Sequence, residues 1–160
     1  MSAENTAADS TAADTSSEIL QPTNVIARGT ATSRDEAIRE AGQLLVASGA
    51  VRADYIDSMF EREASVSTYM GNYLAIPHGT NKAKESILRS SLSIVRYPEP
   101  IDWNGKPVRF AVGIAGLNNE HLQILSKIAV VFSDEDEVQR LLDAGSSEEM
   151  FTLLEEVNEP

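Results

Sequence analysis

The sequence predicts an α/β domain: a mixed β-sheet flanked by helices, behind an acidic N-terminal tail. Three observations carry this. Short apolar runs alternate with segments whose apolar residues recur at helical spacing. Three helical segments follow one another at the C-terminal end, which breaks the strict alternation of a doubly wound sheet. The 160 residues, 42% of them hydrophobic, suffice for one core and leave little room for a second.

Residues 1–22 are Ala, Ser, Thr and acid, ending at Gln21-Pro22, and hold Glu4, Asp9, Asp14 and Glu18 without Lys or Arg. So few large apolar groups cannot offset the entropy of ordering them, so this segment is expected to be a disordered tail and residues 23–158 the domain. Val25-Ile26-Ala27 reads as a first strand. Ser33 and Glu36 form a capping-box pattern ahead of Ala37, Ile38, Ala41, Leu44 and Leu45, and Gly49 stands where a left-handed C-terminal cap belongs. A second helix is expected from Ala53 to Glu63, with Arg62 in its last turn.

Tyr73 to Ile76 reads as a short buried strand stopped by Pro77-His78-Gly79-Thr80, with a short polar helix from Asn81 to Glu85. The alternation around Leu92, Ile94 and Arg96 predicts a strand halted by Pro98 and Pro100. Ile101–Trp103, Asn104-Gly105 and Val108–Ala115 then read as strands joined by a turn, the last being the central-strand candidate. Helices are expected from Glu120 to Phe132, then one headed by Ser133, then one opened by Ser146 and Glu149.

Composition excludes several chemistries. With 25 acidic against 13 basic residues the net charge is −12, which argues against a nucleic-acid partner. No cysteine is present, so disulfides, thiolate metal sites and a cysteine nucleophile are excluded. No apolar run approaches the roughly 20 residues of a membrane span and the N-terminus lacks a signal-peptide pattern, so a cytoplasmic protein without direct membrane insertion is expected. No Walker A, GxGxxG, GxSxG or HExxH pattern occurs.

The chain has only two histidines, His78 and His121, and both fall at loop-to-helix junctions after apolar runs. Such strand ends gather ligands in open α/β sheets, and helix N-termini offer free N–H groups to anions. Two imidazoles and an arginine can carry out phosphoryl transfer, with one ring attacking phosphorus and the other donating to its oxygens. Arg62 is the candidate cation, and it serves equally well as a complement to its helix dipole. His78 reads alternatively as a loop histidine, and His121 as a solvent-facing first-turn residue. Trp103 and the tyrosines read as packing.

The stretches Glu61-Arg62-Glu63, Tyr69-Met70-Gly71, Ala75-Ile76-Pro77-His78-Gly79-Thr80 and Asn118-Asn119-Glu120-His121-Leu122 resemble, in order and spacing, enzyme IIA of the mannitol/fructose class of the bacterial phosphoenolpyruvate-dependent sugar phosphotransferase system. The resemblance runs from about Thr23 to Val157, and the second histidine block is closest to the mannitol branch. It implies a phosphotransferase in which His78 accepts a phosphoryl group on Nε2 from phosphohistidine HPr. It further implies that His121 hydrogen-bonds that group, that Arg62 lies nearby as a charge-stabilising residue, and that no cofactor or metal is used. Backbone N–H groups near Gly79 and Thr80 are expected to join His121 as donors. Without a cysteine of its own, the chain is expected to act as a monomeric carrier that hands phosphate to a separate enzyme IIB/IIC transporter. A regulatory phosphosensor of the nitrogen-related branch and a non-enzymatic binding module are the rival readings.

Overall fold

The computed structural model describes residues 18–159. Five strands form one mixed sheet in the order β1-β4-β5-β3-β2. They are β1 (Leu20–Ile26), β2 (Tyr69–Gly71), β3 (Leu74–Ala75), β4 (Ser91–Trp103) and β5 (Lys106–Ala115). β1 runs parallel to β4 and β3 parallel to β5, whereas β4–β5 and β2–β3 are antiparallel. The mixed sheet with flanking helices agrees with the fold class read from the sequence.

Strand alternation divides the core into two layers. Leu92 and Ile94 of β4, with Phe110, Val112 and Ile114 of β5, face helices α3 (Glu120–Ser133), α4 (Glu135–Asp143) and α5 (Ser147–Leu154). Phe110 meets Phe132 of α3 edge-on, with ring centroids 5.3 Å apart. Burying a side chain of that size contributes about 1.5–3 kcal/mol. The opposite face carries Val95, Tyr97, Ala111 and Ala115 and packs on helices α1 (Arg34–Ala47) and α2 (Tyr55–Ser65). Small residues bring α1 close to the sheet here. The Ser93 hydroxyl donates to the Ala41 carbonyl at 2.8 Å, and a Cβ on Gly113 would lie 2.6 Å from Ser93 Oγ and 3.2 Å from Ala41 O.

The helix ends follow local chemistry. Ser33 Oγ accepts the Glu36 N–H, and Gly49 takes φ +80° so that the Ala50 and Gly49 N–H groups reach the Leu45 and Val46 carbonyls. The segment Asn81–Ser86 is a 3-10 helix rather than an α-helix.

Four boundaries differ from the sequence reading. β1 begins at Leu20, so Leu20-Gln21-Pro22 lie in the sheet; the edge position and a register break before Val25 let Pro22 forgo a ladder bond. Ile19, also in the expected tail, packs against the core and its carbonyl accepts the Leu92 N–H, while residues 1–17 of that tail lie outside the described residues. β4 is not halted at its prolines. It runs from Ser91 to Trp103 with a register shift between Arg96 and Ile101, and the exposed Pro98-Glu99-Pro100 stretch occupies the break. Tyr69–Gly71 is an edge strand, joined to β3 by a turn with positive φ at Asn72 and Tyr73. Ser133 closes α3, and Asp134 caps α4 by accepting the Asp136 and Glu137 N–H groups. Among the described residues no helix is long and apolar enough to cross a membrane.

Candidate functional site

The two histidines are brought together at the C-terminal ends of β3 and β5. After β3, the Pro77 carbonyl accepts the Ile114 N–H at 3.1 Å and His78 bridges in parallel to Ile114, so the Pro77–Gly79 loop extends the sheet. β5 ends at Ala115, and the short loop after it leads into α3, where His121 is the second residue. The ring centroids of His78 and His121 are 5.2 Å apart at an interplanar angle of 54°.

The backbone dictates which nitrogen of His78 is free. Its Nδ1 lies 2.7 Å from the Ile76 carbonyl oxygen, which can only accept, so Nδ1 carries the proton. Nε2 is left with its lone pair. Burial chiefly lowers the His78 pKa from 6.5; His121 and Arg62 lower it further, while the Ile76 bond and Glu63 oppose the shift. Burial also lowers the pKa of His121, with Lys84 adding to the effect. Both shifts favour the neutral ring.

Close packing holds each ring's backbone. The buried Tyr55 hydroxyl donates to the Ile114 carbonyl and accepts the Gly79 N–H, both at 2.8 Å. Burial pushes the Tyr55 phenol up to about 12, so it stays protonated. A Cβ on Gly79 would fall 2.5 Å from Tyr55 Cε1, and one on Gly116 would fall 2.5 Å from the Cα of His121. The Ser90 hydroxyl donates to the Glu120 carboxylate and accepts the Leu117 N–H at 2.9 Å, tethering the loop before α3. Asn118 in that loop takes φ +54°, a conformation Asn tolerates better than most residues.

Arg62 is half-buried in the last turn of α2, with Nη1 donating to the Val66 carbonyl at 2.7 Å. Its neighbour Glu63 is buried and accepts from Thr68 N–H at 2.8 Å, Thr68 Oγ1 at 2.6 Å and Trp103 Nε1 at 2.9 Å. That knot fixes the end of α2 against the sheet and so sets where Arg62 can reach.

Both histidines, Arg62, Tyr55, Lys84 and Asn118 line one cavity of about 350 Å³. Among the described residues its lining includes no carboxylate, although the protein carries a net charge of −12. Two cations, two imidazoles biased to the neutral form and no competing acid suit a small multiply charged anion such as a phosphoryl group. Among the described residues no three His, Asp or Glu side chains gather as a metal site requires.

All three residues expected from the sequence, His78, His121 and Arg62, line this cavity. One expected donor does not point there: the Gly79 N–H is taken by Tyr55. Tyr55, Gly116 and Lys84 were not singled out by the sequence. The positive charge of Lys84 beside the Pro77–Thr80 block was the one available signal, whereas the Tyr55 link joins residues 59 positions apart.

Residues 18–157 match the family described as "Phosphoenolpyruvate-dependent sugar phosphotransferase system, EIIA 2". The chain is 51% identical over 144 residues to the mannitol-specific phosphotransferase enzyme IIA component of Halalkalibacterium halodurans, covering 90% of this chain and 99% of that one. Its fold is similar to that of the Escherichia coli complex of enzyme IIAMTL and phosphorylated enzyme IIBMTL, with a TM-score of 0.79 and 33% identity over 85% of this chain and 98% of that one. The nitrogen regulatory protein IIA-Ntr of Neisseria meningitidis gives a TM-score of 0.75 and 31% identity over 86% and 97%. With nearly the whole described chain matched and half its residues shared with a full-length relative, the protein belongs to the EIIA 2 family of the phosphoenolpyruvate-dependent sugar phosphotransferase system.

Proposed function

We propose that the protein is the cytoplasmic phosphocarrier for a mannitol transporter, with His78 Nε2 as the atom that holds the phosphoryl group. The observation that carries the reading is the pair of imidazoles 5.2 Å apart in a cavity lined by Arg62 and Lys84 and, among the described residues, by no carboxylate, with the His78 proton held on Nδ1 against the Ile76 carbonyl so that Nε2 is the nitrogen free to attack.

In the first half-reaction His78 Nε2 attacks the phosphorus of phosphohistidine HPr. The P–N bond to the HPr ring breaks, its electron pair returns to that ring, and a P–N bond forms on His78. The His78 ring gains positive charge as this happens, and the Nδ1–H to Ile76 carbonyl bond strengthens with it, so the interaction favours the transition state over the resting state. His121 donates to the phosphoryl oxygens and Arg62 balances their charge. The loose transition state asks for positioning and electrostatics more than covalent help. Losing one such donor costs about 2.7–4 kcal/mol of barrier in comparable oxyanion sites. In the second half-reaction a cysteine thiolate of a separate enzyme IIB attacks phosphorus, and the electron pair of the P–N bond returns to His78.

The mannitol assignment is supported by the 51% identity to a mannitol-specific relative. Likeness to the nitrogen regulatory protein is weaker at 31%, so the regulatory reading is not favoured. The direct test is incubation with phosphoenolpyruvate, enzyme I and HPr, followed by site-resolved mass spectrometry at neutral pH. Acid-labile phosphate on His78 is expected, with none in His78→Ala; undiminished labelling of that variant would refute the site.

A further inference from the structure

Lys84 belongs to the 3-10 helix Asn81–Ser86 that follows the His78 loop. With three residues per turn, positions i and i+3 eclipse one another. The register therefore places Asn81 and Lys84 on the cavity side, with Ile87 just beyond, and all three line it. All three charged side chains of the segment are exposed, but Lys82 and Glu85 line no part of the cavity. Among the described residues Lys84 forms no ion pair with a carboxylate, so its charge is not spent on a protein partner.

We propose that Lys84 is a catalytic residue of the transfer, a second cation besides Arg62 that contacts the oxygens of the phosphoryl group as it moves between the HPr ring and His78. The inference rests on the phosphocarrier reading and deepens it. The two cations approach from different elements, Arg62 from the end of α2 and Lys84 from the 3-10 helix, and the histidine pair lies in the cavity that they share. Their charges are felt at different rings: Arg62 at His78 and Lys84 at His121. A phosphoryl group carrying close to two negative charges is better matched by two cations than by one, and lysine acts on it as a mobile point charge. Lys84 neither gives nor takes a proton, so the bonds made and broken are those of the P–N exchange alone.

Lys82 supplies a matched control, because K82Q and K84Q change net charge identically on the same exposed segment. Single-turnover transfer from phosphorylated HPr, measured over a range of HPr concentrations, separates docking from chemistry. At saturating HPr, K84Q is expected to transfer roughly 10²-fold more slowly than wild type, the scale for losing one preorganised donor. K82Q is expected to match wild type, and K84R to transfer faster than K84Q. A wild-type saturating rate in K84Q overturns the inference, even where more HPr is needed to reach it, because Lys84 is then a docking residue. An equal loss in K82Q overturns it as a general charge effect. Failure of wild type itself to label at His78 removes the carrier reading, and this inference with it.

Discussion

The Tyr55 hydroxyl accepts the Gly79 N–H at 2.8 Å, and through the same oxygen α2 holds the His78 loop against the Ile114 carbonyl of β5. One phenol thus bonds both a donor and an acceptor of the sheet extension, and it does so from within the core. The consequence is that the loop carrying His78 is tied to both α2 and β5.

Tyr55→Phe should expose the value of that link. The ring and its packing stay, while the Gly79 N–H and Ile114 O each lose their bond to the phenol. Leaving a buried polar group unsatisfied costs about 1–3 kcal/mol, so a loss of that size is expected in denaturant unfolding at unchanged m-value. Labelling of His78 should slow as the loop loosens. A variant as stable and as fast as wild type would show that the hydroxyl holds nothing.

The two histidines set a pH dependence of definite sign. Both have folded-state pKa values below 6.5, chiefly through burial. Between the folded and unfolded values the unfolded chain binds more protons, so stability contributed by the neutral rings is fully present above about 6.5 and is lost as pH falls through the lowered values. Imidazole resonances followed by NMR should show both midpoints below 6.5, with labelling flat from pH 7 upward and falling only on the acid side. A His78 midpoint above 6.5 would contradict the site electrostatics.

Much of this was legible in the sequence because it is local. Ser33 with Glu36 and the left-handed Gly49 announce the ends of α1 through residues a few positions apart, and the two lone histidines mark their own strand-to-helix corners. What escaped depends on distant partners. Pro98 and Pro100 read as strand terminators until the register break that accommodates them is seen, and that break belongs to the pairing with β5. Pro22 misled in the same way at the sheet edge. Tyr55 looked like packing because its hydroxyl partners sit 24 and 59 positions away. Lys84 and Lys82 are indistinguishable by composition and separate only once the segment is known to be a 3-10 helix.

Glu63 offers a test of how Arg62 is placed. Its carboxyl group takes three donors from Thr68 and Trp103, so Glu63→Ala leaves the Thr68 N–H and the indole N–H buried without acceptors. A loss of about 3 kcal/mol is expected, near the upper end for an orphaned buried group, because two donors are stranded together. Glu63→Gln keeps one acceptor oxygen and should lose less. Calorimetric or denaturant stabilities in which Ala and Gln are equally harmless would remove the knot as an anchor for the end of α2.

His121→Ala separates acceptor from donor. The ring favours the neutral form and lies 5.2 Å from His78 by centroid, suited to donating to a phosphoryl group held on its neighbour. The variant should still accept label on His78 while transfer to enzyme IIB slows by roughly 10²-fold or more, as for loss of one oxyanion donor. Abolition of labelling by His121→Ala together with its survival in His78→Ala would reverse the two roles.

Gly116→Ala tests whether the spacing of the two rings, rather than their mere presence, supports transfer. The added methyl would sit 2.5 Å from the Cα of His121 and 2.9 Å from its backbone nitrogen, both rigid parts of the first turn of α3. Neither atom can yield as a flexible side-chain tip could, so the start of α3 must shift away from β5. The cost of such overpacking is about 1–3 kcal/mol, and the fold should survive it. The His78 loop hangs from Tyr55 and Ile114, elements that Gly116 does not displace directly, so label acceptance at His78 should persist. Onward transfer should fall as in His121→Ala even though the imidazole is still there, because a displacement on the order of 1 Å in a positioned group can cost roughly 10²-fold in rate. If Gly116→Ala transfers phosphate at the wild-type rate while the NMR shifts of His121 show that it has moved, the distance between the imidazoles does not control the reaction.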